Sequence, residues 1–365
     1  MSGTFGKKLK ISIFGESHGP AIGLLADGFP AGEKVDLEEL SRFLARRSAV
    51  GKSYATGRKE ADIPHFLSGF LDGRILSSPL CVMIENTAQH SSDYDNLRDI
   101  PRPGHADYTA YCRHGRDVDL RGGGHYSGRL TAPLCVAGGI AIQILHRRGI
   151  EVFAHIHSLH GITDMPFDPI AVGAHEQTQL ACAQLPVLDA QAGEAMLAAV
   201  LKAKDNCDSV GGVIECAVTG LAPGSCGEHI FDGLDGHIAQ ALFAVPAVKG
   251  VEFGAGFSCA QLYGSENNDP FSVGPDGRIT CTGNHHGGIL GGMASGMPVI
   301  VRAAVKPTPS IYKCQPSVSI RENCDVQLEI KGRHDPCIVP RAVPCIESAV
   351  AVAVLDALLD SQKGF

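Results

Sequence analysis

Two histidines stand on glycine-framed turns. His18, in Gly15-Glu16-Ser17-His18-Gly19, follows a strand predicted by the alternation of Leu9, Ile11 and Ile13 with Lys10 and Ser12. His105 lies in Pro101-Arg102-Pro103-Gly104-His105-Ala106-Asp107, a proline-stiffened loop with an arginine three residues earlier. An imidazole gives or takes a proton near neutral pH, so both are candidate general acids or bases; an ordinary turn histidine is the alternative. A third loop runs Gly122-Gly123-Gly124-His125-Tyr126-Ser127-Gly128-Arg129-Leu130-Thr131 into a predicted helix. Glycines let backbone N–H groups approach an anion, a helix N-terminus favours negative charge, and Arg129 adds a fork for phosphate or carboxylate. The spacing is neither that of a P-loop nor GxGxxG.

Other residues offer rival chemistries. His155, His157 and His160 suggest metal ligands two apart on a strand, but the sequence near them supplies no cysteine or carboxylate to complete a site, and no metal is expected. Cys337, beside His334, could be read as a nucleophile, a weak signal in a chain with 13 cysteines. The C-terminal third adds further rigid loops: Asn284-His285-His286-Gly287-Gly288-Ile289-Leu290-Gly291-Gly292, Lys306-Pro307-Thr308-Pro309-Ser310 and Gly332-Arg333-His334-Asp335-Pro336. So many basic, glycine-framed turns suit a polyanionic ligand or two adjacent anions.

The elements that must position these loops are legible in part. Asp36 and Glu39 form a capping-box pattern before Leu37, Leu40, Phe43 and Leu44, predicting a helix to Arg47, whose last turn holds Arg46 and Arg47. Further helices are predicted from Ser127 or Thr131 to Arg148 and at 194–204, 234–243 and 345–360, with strands at 80–84, 151–157, 210–218, 299–305 and 326–330. The stretch 165–193 is the least regular and reads as a surface insertion. Strands and helices without regular βαβ alternation indicate an α+β fold. No linker divides the chain, which is expected to form one domain over 1–365. The clustered glycines at 122–132 and 287–303 hint at duplication too loosely to count as a repeat.

Composition excludes several classes. The chain has 365 residues, 31 basic and 39 acidic side chains, a net charge of −8 and 44 glycines, above the roughly 7 % usual share. It is a folded-protein composition, and the acidic balance argues against a nucleic-acid binder. Yet Arg42, Arg46, Arg47, Lys52, Arg58 and Lys59 fall in one stretch without an acid. The apolar run from Ala132 to Leu145 is broken by Gln143 and is shorter than the roughly 18 residues of a membrane span. With no secretory signal and scattered cysteines, a cytoplasmic protein with reduced thiols is expected.

Six segments, 15–30, 102–107, 121–132, 284–297, 306–310 and 332–340, resemble in order the successive signatures of the chorismate synthase family, over nearly the full chain. The resemblance implies a β-α-β sandwich, a homotetramer, no nucleic-acid or membrane partner, and an anti-1,4-elimination of phosphate from 5-enolpyruvylshikimate 3-phosphate to give chorismate. It implies reduced FMN without net redox change, and NADPH as an indirect reductant. By resemblance His18 protonates the departing phosphate, His105 manages the proton on the reduced flavin, and Asp335 assists removal of the ring hydrogen. Ser17, Arg47, Arg102, Arg129 and Arg333 would hold the substrate, Arg47 also standing where some members meet a nicotinamide cofactor. Flavin contacts carry over to His125, Tyr126, Ser127, Pro246, Ala247, Gly291, Lys306, Pro307, Thr308, Pro309, Ser310 and Arg333. The sequence departs from the family at Ser48 and Ser53, where cations are usual, with Lys52 nearby, and at His125-Tyr126, where Arg-Ser is usual. A rival reading is a homologue that binds flavin or a phosphometabolite without turnover; a metal hydrolase built on His155 is a third.

Overall fold

The structure is a computed structural model in which residues 3–49, 62–87, 99–275, 277–330 and 334–361 are described. Its first sheet is antiparallel, in the order Thr4–Phe5, Lys10–Gly15, Ala21–Asp27, Leu80–Glu85, His65–Ser68. Ile22, Leu24 and Ala26 pair with Ile84, Val82 and Leu80. With period two, these buried residues make one continuous apolar face. The second sheet is also antiparallel, ordered Val248–Phe253, Val299–Val305, Gly212–Thr219, Glu151–Leu159, Ile162–Thr163. Its inner face carries Ala154, Ile156, Ile214, Cys216, Val301 and Ala303, all buried.

Helices Leu37–Arg47, Thr131–His146, Leu234–Phe243 and Val339–Asp360 fill the space between the sheets. The fold is the expected α+β class with a β-α-β sandwich. Asp36 caps the first helix by accepting from the N–H groups of Glu38 and Glu39 at 2.9 and 3.0 Å. The other half of the expected capping box is replaced: the Asp36 N–H donates to Gln143 Oε1 at 2.8 Å, and Gln143 Nε2 donates back to the Asp36 carbonyl. That pairing satisfies the polar residue that interrupts an otherwise apolar helix.

The helix expected at 345–360 begins at Val339. Pro340 stands in its first turn, where the missing N–H has no intrahelical partner, and Pro344 lies inside the helix, where the sequence reading expected none. Two buried carboxylates tie this helix to its surroundings. Asp356 accepts from the N–H groups of Lys7, Lys8 and Leu9 at 2.7–2.8 Å. Glu347 accepts from the Ala154 N–H at 2.9 Å and pairs bidentately with Arg46 at 2.6 and 2.8 Å. Arg46 is thus a structural member of the basic stretch. Gly128–His146 and Val339–Asp360 are long and apolar enough to cross a membrane by composition, but most of their surface is buried in this sandwich.

Elsewhere the sequence reading is corrected. The irregular stretch 165–193 contains the helix Ala174–Cys182, and the next helix spans Ala190–Asp205. The strand expected at 326–330 is Cys324–Leu328, paired with Gln315–Ser319 in a separate hairpin. The two glycine clusters are not duplicates: one leads into the Thr131 helix, the other forms the hairpin Ile289–Leu290 with Met293–Ala294.

Where the Thr131 and Val339 helices cross, Gly138 lies on Ser348, and a Cβ at Gly138 would stand 2.2–2.3 Å from the Cα, Cβ and Oγ of Ser348. Gly138→Leu is therefore expected to lower unfolding free energy by about 3 kcal/mol, measured by urea denaturation; an unchanged midpoint would show that the helices part without cost.

Candidate active site

A cavity of about 660 Å³ opens at one end of the helix layer. The N-terminal ends of the two crossing helices contribute Thr131, Ile338, Arg341, Ala342 and Cys345 to its lining, and the C-terminal ends of the Leu37 and Leu234 helices contribute Arg47, Ser48, Ala244 and Val245. Two helix N-termini facing one space favour an anion there.

His105 is held by the short loop that carries it. Its Nδ1–H donates to Asp107 Oδ1 at 2.6 Å, while Arg102 Nε and Nη2 donate to the two Asp107 oxygens at 2.7 and 2.8 Å. Burial alone would raise the Asp107 pKa, but the hydrogen bonds from Arg102 and His105 hold it far below the ordinary carboxylate range. The carboxylate fixes the imidazole tautomer and leaves Nε2 directed away from it. Arg102 Nη1 also donates to Ser310 Oγ at 3.3 Å, joining this loop to 306–310. Lys306 Nζ bonds the Gly104 carbonyl, and burial, then Lys249, lowers the pKa of its ammonium.

The glycine triplet forms the wall between the histidines. A Cβ on Gly122 would lie 2.0 and 2.1 Å from His18 Cε1 and Nδ1, and one on Gly123 would lie 3.1 Å from His105 Cε1 and Nε2. Both glycines have positive φ, 61° and 91°. The His18 turn is fastened to the same wall, since the Ser17 N–H donates to the Gly124 carbonyl at 3.1 Å and His125 Nδ1 donates to the Gly15 carbonyl at 2.9 Å.

Across the cavity stands a buried ion cluster. Arg47 Nη1 donates to Asp62 Oδ2 at 2.6 Å, and Arg129 pairs with the other Asp62 oxygen. Arg47 Nε also donates to Thr131 Oγ1 at 2.9 Å, and Arg129 Nε to Asn86 Oδ1 at 3.1 Å. Burial would neutralise Asp62, but Arg47 and Arg129 hold its pKa below the ordinary range; burial opposes the charge on Arg47, which Asp62 more than restores. Arg341 pairs with Asp335 and donates to the Arg47 carbonyl at 2.8 Å. Among the described residues, the five cations Arg47, Arg102, Arg129, Arg341 and Lys306 in the lining are met by three carboxylates, Asp62 and Asp335 in the lining and Asp107 behind Arg102. The cavity is cationic in an acidic chain.

A sequence model of the chorismate synthase family matches residues 9–359. The chorismate synthase of Lancefieldella parvula is 47 % identical over 98 % of this chain and 96 % of its own length, and that of Thermococcus kodakarensis 46 % identical over 97 % of each. The chain belongs to the chorismate synthase family. A crystal structure of chorismate synthase superposes with a TM-score of 0.76 at 26 % identity, covering 98 % of this chain and 94 % of that one.

Of the residues singled out by resemblance to that family, Arg47, Arg102, His105, His125, Tyr126, Ser127, Arg129, Pro246, Ala247, Lys306, Thr308, Pro309, Ser310 and Asp335 line the cavity. Ser17 and His18 are buried behind Gly122, and Pro307 and Gly291, the latter in the 289–294 hairpin, are not in the lining. Arg333, Lys52 and Ser53 lie outside the described residues. Sequence reasoning assigned nothing to Asp62, Asn86, Asp107 or Arg341. Asp107 alone carried a signal, two residues after His105 in the quoted loop.

The rival sites resolve differently. Contrary to the sequence reading, carboxylates do reach the histidine cluster: His155 Nδ1 meets Asp164 Oδ2 at 2.9 Å and Nε2 meets Glu215 Oε2 at 3.0 Å. Glu215 is the cross-strand neighbour of both His155 and Arg302. With both ring nitrogens on carboxylates and its pKa raised by them against burial, His155 is one rung of a charge ladder across the outer sheet face. Burial pushes the Cys337 thiol up to about 12, removing it as a nucleophile.

Because the Asp107 pKa is lower folded than unfolded, its stabilisation is complete above the ordinary value of 3.8 and is lost as pH falls through the lower folded value. Asp107→Asn should cost about 3 kcal/mol near neutrality. Urea unfolding along a pH series should show the gap to wild type closing below that value; a gap independent of pH would refute the assignment.

Proposed function

We propose that this chain catalyses the anti-1,4-elimination of phosphate from 5-enolpyruvylshikimate 3-phosphate, giving chorismate, as a carbon–oxygen lyase that uses reduced FMN. The observation that carries this reading is the pair of histidines set against successive glycines of one wall of a cationic cavity, in a chain of the chorismate synthase family. The substrate has two carboxylates and a phosphate, and FMN another phosphate. Arg47, Arg102, Arg129 and Arg333 are the proposed substrate cations, with Ser17 behind the wall.

The cavity suits a flavin. Thr308 Oγ1 is buried at the cavity wall with no hydrogen-bond partner among the described residues, which a polar ligand atom would supply. We assign flavin contacts to His125, Tyr126, Ser127, Pro246, Ala247 and the loop 306–310; Gly291 stands outside this lining, and its contact would need another surface. Reduced FMN, when bound, supplies transient electron density that eases cleavage of the carbon–oxygen bond. His18 would deliver a proton toward the phosphate, His105, oriented by Asp107, would hold one at Nε2, and Asp335 would assist removal of the ring hydrogen.

The same reading places the chain in the cytoplasm, supported by the twelve described cysteines all being free thiols. It makes the protein a homotetramer of one-domain chains, supported by exposed Phe257, Phe271, Val273 and Ile279. No nucleic-acid or membrane partner is proposed. Arg47 is already bonded to Asp62 and Thr131, which favours an external source of reduced flavin over direct use of NADPH; aerobic turnover with NADPH and FMN alone would overturn that.

An anaerobic assay with chemically reduced FMN should yield chorismate and phosphate in equal amounts, whereas substrate binding without product would leave only a binding protein. His18→Ala and His105→Ala should each lower kcat by about 100-fold or more with KM little changed. A rise in KM that accounts for the whole loss would reduce the histidines to positioning groups.

A further inference from the structure

Cys345 lines the floor of the cavity, and Cys135 lies directly behind it with the two sulfurs 3.8 Å apart. Cys135 belongs to the Thr131 helix and Cys345 to the Val339 helix. Three residues further along each helix stand Gly138 and Ser348, the contact that fixes their crossing. The same close approach therefore clamps the two sulfurs together; Cys345 is buried except toward the cavity, and Cys135 is fully buried behind it.

We infer that Cys135 and Cys345 form an oxidation site, in which hydrogen peroxide entering the cavity converts the pair to a disulfide across its floor. The Cys345 thiolate attacks one peroxide oxygen, the O–O bond breaks, and hydroxide leaves, giving a sulfenic acid. The Cys135 sulfur then attacks the Cys345 sulfur, the S–O bond breaks, and water leaves with the thiol proton. The peroxide gains two electrons and the two thiols lose two.

The surroundings assign the roles. Cys135 donates its S–H to the Cys345 sulfur, and Arg47 lies close by; against burial, these lower the Cys345 pKa to about 6. Burial raises Cys135 well above the usual thiol range, so it resolves rather than attacks. An S–S bond near 2.05 Å requires the sulfurs to close by roughly 1.8 Å.

The test uses the full chain, treated with a modest molar excess of hydrogen peroxide and mapped by mass spectrometry under non-reducing conditions. The expected product is a linked peptide pair containing Cys135 and Cys345, lost on addition of dithiothreitol. In Cys135→Ala the linkage disappears and Cys345 is captured instead by dimedone; Cys345→Ser abolishes both products. Oxidation confined to the exposed Cys112, Cys207, Cys259, Cys314 and Cys324 with Cys345 still a thiol would overturn the proposal. So would a disulfide joining Cys345 to a different cysteine. The readout is covalent mass, so it stands whatever the outcome of the chorismate assay.

Discussion

The contact between Gly138 and Ser348 is the constraint on which the rest of this structure depends. Two long apolar helices can lie side by side in the middle layer only because one lacks a side chain where they cross. Their outer surfaces are then apolar and must be covered, which the inner faces of the two sheets do. Their N-terminal ends emerge together, and the cavity lies there. Glu347 and Asp356 extend the constraint by tying the Val339 helix to Ala154 in one sheet and to 7–9 at the edge of the other. A helix so anchored cannot rotate without breaking bonds to buried carboxylates, so Arg341, Asp335 and Cys345 inherit fixed positions at its start.

Electrostatics follow from that placement. An unpaired buried charge costs several kcal/mol, so the guanidinium groups around the cavity need carboxylates nearby. Asp62 serves Arg47 and Arg129 together, Asp107 serves Arg102 and His105, and Asp335 serves Arg341. One carboxylate shared by two arginines leaves a positive remainder, which Lys306 increases. The cavity is thus ordered by internal pairs yet still short of negative charge. That shortfall is how a chain of net charge −8 can present a cationic site.

How much of this was legible in the sequence depended on whether the deciding interaction was local. The helix Leu234–Phe243 and the strand Val299–Val305 matched their expected limits because apolar periodicity within each segment decides them. The start of the Val339 helix was hidden by its prolines: Pro340 is tolerated by its place in the first turn, and Pro344 lies inside the helix, which sequence rules do not expect. Gln143 looked like an interruption because its partner is the backbone of Asp36, 107 residues away. Glu215, 60 residues from His155, could not be connected to it until the strands were in register. The cavity residues were named from loop signatures, yet Asp62 and Arg341 escaped because an isolated acid or arginine carries no spacing to mark it.

Glycine in the triplet at 122–124 acts by exclusion more than by flexibility. The space a side chain would occupy at Gly122 is filled by the His18 ring, and the space at Gly123 is bounded by the His105 ring. Two imidazoles can stand against opposite parts of one thin wall only if that wall is bare backbone. Both glycines are held at positive φ, and the wall is pinned by the Ser17–Gly124 and His125–Gly15 hydrogen bonds. The conformational entropy lost in ordering such glycines is the largest of any residue type. Their rigidity must therefore come from the neighbouring turn, and the His18 turn supplies it while receiving its own position in return. The two imidazoles and their scaffold are one arrangement here, so a change at either histidine is felt first at the glycine wall.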